Sequence, residues 1–217
     1  MNIEQARFNM IEQQIRPWNV LDEDVLAMLH VVKREQFVPK AYENLAFADV
    51  EIPLAGGEAM LNPKVEARMV QEIAVKKHES VLEIGTGSGY MTALLAHTAA
   101  HVTSVEIQPE SVTLAKENLA RAGVINVSVE EGNGAQGWSA STQYDVIVVT
   151  GALPLLPEAL VKQLKVGGRM IAILGEAPAM SCQLITRTSE TAHDAVKVFE
   201  TLAKPLTGAA APSRFTF

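Results

Sequence analysis

Cysteine is nearly missing from this 217-residue chain: Cys182 is the only one. One thiol excludes an internal disulfide and any multi-cysteine metal site, and it suits a reducing compartment. Cys182 falls in a predicted strand with no histidine near it in sequence, so a buried core thiol is expected, not a nucleophile. Positive charge is also scarce. Lys and Arg number 18 against 25 Asp and Glu, a net charge of −7. The basic runs Lys33-Arg34 and Lys76-Lys77 are only pairs, which excludes a general electrostatic grip on nucleic acid. No apolar run reaches membrane-spanning length, and the opening MNIEQARFNM lacks the apolar centre of a signal peptide. A soluble cytoplasmic protein is therefore expected. His30, His78, His97, His101 and His193 show no metal-ligand spacing, so no resident metal is expected. Trp18 and Trp138 read as packing residues.

Glycine and apolar residues are well supplied and carry the first positive signal. At 48% hydrophobic the chain can bury one substantial core without staples. Val81-Leu82-Glu83-Ile84-Gly85-Thr86-Gly87-Ser88-Gly89-Tyr90 joins a buried-strand run to a glycine turn and a helix start. A dinucleotide loop requires G-x-G-x-x-G, but here the pattern is G-x-G-x-G, and Tyr90 stands where the third glycine belongs. That disfavours a nicotinamide enzyme. An acid two residues before the first glycine, Glu83, together with close-packed amides suits the ammonium-carboxylate end of S-adenosylmethionine. A glycine turn without a ligand is the competing reading.

Around this loop the pattern alternates. Strands are predicted at 81–84, 101–106, 126–130, 144–150 and 169–175, with helices after the first, second and fourth of them. Two further strands, 182–187 and 195–202, have no helix between them and read as an antiparallel edge pair. The fold class is therefore α/β, a doubly wound and mostly parallel seven-stranded sheet. Residues 1–60 form an N-terminal helical extension and substrate-covering loop, ahead of a core at 61–217. In the extension, a helix over 2–16 is expected to bury Ile3, Phe8, Met10, Ile11 and Ile15. Asp22 caps a second helix, and Asn62 with Pro63 starts a third that ends near Val75.

Ligands in such sheets sit at the carboxyl ends of the strands. Glu106 ends the second strand and can take both ribose hydroxyls. Ile107 offers an apolar face to adenine, and Asn133 beside Gly134 can accept from the adenine amino group, with a plain turn as the competing reading. Thr150 lies beside the place of the reacting methyl. Methyl transfer from a sulfonium gains much of its rate from positioning donor and acceptor in line.

With these residues assembled, the chain resembles the protein-L-isoaspartate O-methyltransferase family over nearly its whole length. Arg34-Glu35-Gln36-Phe37-Val38-Pro39 is similar to its R-x-x-F-V-P, Ala46 to Asp49 to its A-Y-x-D, and Val81 to Tyr90 to its glycine loop. Ser104-Val105-Glu106, Gly132-Asn133-Gly134, Gly137-Trp138, Asp145 to Thr150 and Gly167-Gly168-Arg169 extend the match. The resemblance implies a Rossmann-like methyltransferase. It would move methyl from S-adenosylmethionine, through Glu83, Gly85, Thr86, Gly87, Ser88, Gly89, Tyr90, Glu106, Ile107, Asn133, Gly134 and Thr150, to isoaspartyl carboxylates of damaged proteins.

One segment departs from the family. Where the family has G-Q-T-I-S-Q-P, this chain reads Gly57-Glu58-Ala59-Met60-Leu61-Asn62-Pro63. Leu61 takes the place of the active-site serine and Ala59 that of the threonine. An ionised Glu58 would repel a carboxylate, and two lost hydroxyls donate nothing to it. Asp49, Glu51 and Glu58 are candidate pocket acids. Two acceptors follow as expectations: a protein or peptide isoaspartate held by backbone amides, or a small neutral or cationic molecule. A cofactor-binding protein without transferase activity is the alternative from another class. The aromatic tail Arg214-Phe215-Thr216-Phe217 suggests docking on the core or on a second subunit, hence a monomer or homodimer.

Overall fold

The computed structural model describes residues 2–139 and 141–211. The tail Arg214–Phe217 lies outside them.

Seven strands form one sheet in the order β5-β4-β3-β6-β7-β8-β9: β3 Ser80–Ile84, β4 His101–Glu106, β5 Val127–Glu131, β6 Tyr144–Leu153, β7 Leu164–Glu176, β8 Ala179–Arg187 and β9 His193–Glu200. β3 to β7 pair in parallel, while β8 and β9 are antiparallel, as the missing helix between them requires. The strands are apolar on both faces. Val146 and Val148 join one buried cluster, Ile147 and Val149 the other, and Met170 to Ile173 alternate in the same way. Each such side chain contributes about 1.5–3 kcal/mol by leaving water, so β6 anchors the sheet's centre.

On the first face lie α3 (Pro63–Ile73), α4 (Tyr90–Thr98) and α5 (Pro109–Arg121), with α2 (Glu23–Val31) packed on α3 and α4; the second face is covered by the short α6 (Glu158–Lys162). The helices after β3 and β4 take one side and the helix after β6 the other. The chain therefore reverses direction beside β3, which makes that strand the switch point. Residues from the N-terminal extension pack into the core: Met10, Ile11, Ile15 and Leu29 share one buried cluster with Val81 and Val146.

Several elements differ from the sequence reading. The predicted 2–16 helix is α1 (Ile3–Met10) followed by a π-helical turn at Ile11–Ile15 and a 3-10 turn at Arg16–Trp18. Ile11 and Ile15 are fully buried, whereas Ile3 and Phe8 are about half exposed (48% each) and Arg7 is buried in their stead. Arg7 can lie inside because Glu4 and Glu35 pair with it. Asp22 does cap α2, accepting from the Asp24 and Val25 amides. Asn62 precedes α3 but does not cap it; its amide donates to the Asp49 carbonyl at 3.2 Å. α3 ends at Ile73, where Ala74 turns left-handed, ahead of the expected Val75.

Residues 46–63 include a small hairpin, β1 (Ile52–Pro53) against β2 (Ala59–Met60). Gly56 and Gly57 turn it with φ of +65° and +74°, a pair of torsions that side-chain-bearing residues rarely adopt.

Candidate active site

A cleft opens at the carboxyl ends of β3, β4 and β6. Its floor is Gly85, Gly87, Glu106, Ile107, Asn133, Gly134 and Thr150, and its opposite wall is Glu51, Leu54, Glu58, Ala59 and Leu61 from the hairpin region. Two groups of residues predicted far apart in sequence thus face each other.

The floor owes its shape to the absence of side chains. Gly85 has φ +95°, and a Cβ there would sit 2.5 Å from Thr150 Oγ1, which donates to the Ile84 and Gly85 carbonyls at 3.0 and 2.5 Å. A Cβ at Gly134 would meet Ile84 at 2.5 Å. Glu106 closes the end of β4, almost buried, its Oε2 accepting from the Gly87 amide at 2.8 Å and its Oε1 from the Gln108 amide at 2.9 Å. Each oxygen keeps a lone pair for a ligand hydroxyl. Asn133 Oδ1 accepts from the Ala135 amide at 2.9 Å, so this turn is held by its own side chain.

The other loop residues point inward, away from the cleft. Gly89 has φ +85° and packs on α5, where a Cβ would meet Leu119 at 3.2 Å. Tyr90 is buried beside Phe37 (centroids 5.6 Å apart) and beneath the Arg34 guanidinium at 5.2 Å. Ser88 offers its carbonyl to Asn118 at 2.9 Å, and Thr86 bonds Ser104 at 2.6 Å. Glu83 is fully buried, its Oε2 accepting from Thr92 at 2.5 Å and Ser104 at 2.6 Å. It lies one residue before the strand's turn, on the side of the sheet opposite to Ile84, so it faces the helices and not the cleft.

Burial pushes the Glu83 carboxyl up to about 8, against the smaller downward pull of the two hydroxyls. From the ordinary carboxylate range up to that value, the folded chain keeps a proton that the unfolded chain releases. Stability from this group is therefore complete at low pH and is lost as pH rises toward 8. Glu83→Gln should flatten the fall of melting temperature between pH 5 and 8. Parallel melting-temperature slopes for variant and parent would count against it.

On the opposite wall the backbone of Leu61 is held from within. Arg34, fully buried, donates to the Leu61 carbonyl at 2.9 Å and to the Ala46 carbonyl at 3.2 Å, and it pairs with buried Glu66 of α3. Of the three candidate pocket acids, Glu51 and Glu58 line the cleft and Asp49 does not. Lys64 Nζ sits 2.5 Å from its carboxylate, and Asn62 holds its carbonyl. Glu58 does line it, and it is not an isolated charge: Lys204 Nζ lies 3.0 Å from its Oε1.

The family model for protein-L-isoaspartate(D-aspartate) O-methyltransferase matches residues 5–210. The chain belongs to this family. A protein-L-isoaspartate O-methyltransferase of Methanoculleus marisnigri is 46% identical over 169 residues, covering 78% of this chain and 77% of its own length. One from Rhodopseudomonas palustris is 37% identical over 201 residues, 92% of each. Among solved structures, a Plasmodium falciparum protein assigned to the same class, in complex with S-adenosyl-L-homocysteine, superposes with TM-score 0.80 at 20% identity, over 95% of this chain and 99% of its own, which speaks to the fold.

For this isoaspartyl methyltransferase family member, the sequence reading missed the third wall of the cleft. Lys204, Leu206 and Thr207 come from the segment after β9. Lys204 and Leu206 bracket Ala152 as an added parallel bridge, the Ala152 amide donating to the Lys204 carbonyl at 2.8 Å and the Leu206 amide to the Ala152 carbonyl at 2.9 Å. Leu206 packs on Gly151, where a Cβ would come within 2.6 Å of it. No local pattern in the sequence pointed to these three residues. Cys182 is buried as expected, its thiol pushed up to about 12 by burial. Among the described residues no helix is long and apolar enough to cross a membrane, and no cluster of His, Cys, Asp or Glu has metal-binding arrangement.

Proposed function

We propose that this chain transfers methyl from S-adenosylmethionine to the α-carboxylate of isoaspartyl residues in protein or peptide chains, the opening step of a repair, and that it works in the cytosol. The observation that carries the reading is the convergence of the Gly85–Gly87 turn, Glu106 and Asn133-Gly134 at one switch point, facing the hairpin wall.

The residues fit the cofactor. Gly85, Gly87 and Gly134 leave the space that side chains would fill, Glu106 presents a carboxylate to a ribose, and Ile107 lines the same floor as an apolar neighbour for a base. When bound, the cofactor would supply an electrophilic methyl on a sulfonium to a carboxylate oxygen. The chain's own contribution is placement: Thr150 fixes the Gly85 carbonyl, Arg34 fixes Leu61, and apolar Leu54, Ala59 and Leu61 keep water from the reacting centre. The relatives' shared name supports the acceptor.

The charge objection to a carboxylate acceptor weakens, because Glu58 is paired with Lys204. The test uses labelled S-adenosylmethionine with an isoaspartyl peptide and the same peptide carrying ordinary aspartate. Label should enter the first as a base-labile ester and the second at least about a hundredfold more slowly, the discrimination expected of a site built around one carboxylate. Cofactor binding without turnover of either peptide would instead favour a binding protein without transferase activity.

A further inference from the structure

Where the family carries two hydroxyls, this chain has Ala59 and Leu61, and an acceptor carboxylate needs donors from elsewhere. Among the described residues lining the cleft, Lys204 is the one cation. Its backbone is pinned by the Ala152 amide, so the side chain starts from a fixed point. Its Nζ donates to the Gly57 carbonyl at 2.8 Å and to Glu58 Oε1 at 3.0 Å, the two residues just before Ala59. An ammonium carries three donors, and these contacts use two. The side chain is about half exposed (47%), so a ligand can reach the third.

We propose that Lys204 is the specificity-determining residue that receives the acceptor's carboxylate in place of the missing hydroxyls, an inference that rests on the isoaspartyl reading above. Glu58 then has two effects. It orients the ammonium at the hairpin, and it competes with the incoming carboxylate for the same positive charge. A Lys204 that merely tied the terminal segment to the hairpin would need Glu58, whereas a Lys204 that binds substrate is partly masked by it. The two roles predict opposite consequences of neutralising Glu58.

The experiment measures KM and kcat with an isoaspartyl peptide, and the affinity of that peptide for protein saturated with S-adenosylhomocysteine, in Lys204→Gln, Lys204→Arg and Glu58→Gln. Lys204→Gln should raise KM and the peptide's dissociation constant about tenfold, with kcat lowered by less than about threefold, since the contact is made in full before transfer and only loosens as the carboxylate gives up its charge to the methyl. Lys204→Arg should keep most of the affinity. Glu58→Gln should lower KM, and adding Leu61→Ser to Lys204→Gln should recover part of the loss. A rise in KM for Glu58→Gln matching that for Lys204→Gln, or no change for Lys204→Gln, overturns the assignment. If Lys204→Gln does not fold, the Lys204→Arg and Glu58→Gln measurements decide it by the same signs. An unaltered chain that binds cofactor but neither binds nor methylates the peptide overturns the acceptor reading, and this assignment with it.

Discussion

Glu106→Ala should weaken S-adenosylmethionine binding by about a hundredfold or more, because two hydrogen bonds to a charged acceptor are worth roughly 1.5–3 kcal/mol each and each 1.4 kcal/mol is a factor of ten. The residue does two things at once. Its oxygens hold the Gly87 and Gln108 amides, so it sets the loop's shape as well as offering lone pairs to a ribose. Glu106→Gln separates these roles, since the amide keeps one acceptor and changes little in volume. It should bind cofactor with intermediate affinity. Calorimetry on folded variants, with melting temperatures as a control, reads the result. A change below threefold for Glu106→Ala would remove this carboxylate from the cofactor site.

Arg34→Met should cost about 3–5 kcal/mol of stability, because it leaves the buried Glu66 carboxylate without its partner. For a chain of this size that corresponds to a fall in melting temperature of roughly 6–20 °C. Arg34 also bonds the carbonyls of Ala46 and Leu61 and lies over Tyr90, so one guanidinium joins the N-terminal motif, the hairpin wall and the start of α4. Replacing both charges, Arg34→Met with Glu66→Met, should recover most of the stability, as apolar replacements of buried ion pairs commonly do. Activity should stay low in the double variant, because the Leu61 carbonyl is still untethered. Thermal melts and methyl-transfer rates on the same three proteins separate the effects. Full recovery of rate in the double variant would reduce Arg34 to a core ion pair.

The donor half of the site was legible because its signals are short-range. The strand run from Val81, the glycine spacing and the placing of Glu106 at a strand end each depend on a few neighbouring residues. The same local reading assigned Glu83, Thr86, Ser88, Gly89 and Tyr90 to the cofactor loop, but they turn inward: Glu83 into a hydroxyl-lined interior, Tyr90 against Phe37, and Gly89 onto α5. Alternate residues of a strand end and turn face opposite sides, and a motif does not say which side meets the ligand. Asp49, a candidate pocket acid by its place in the motif, is held instead by Lys64, fifteen residues away.

Local sequence by itself determined the sheet's alternating strands and helices, the glycine turn at β3 and the departure at Gly57 to Pro63, because periodicity, backbone torsion and residue type are properties of adjacent positions. Only the tertiary structure decided what that departure means. Glu58 meets Lys204 across 146 residues of sequence, and Arg34 reaches Leu61 across 27. Those pairings exist because the sheet brings the segment after β9 to the end of β6 and lays the hairpin opposite it. Charge and hydrogen bonding act through space, so the chemistry at Leu61 is set by residues the chain's order keeps far from it.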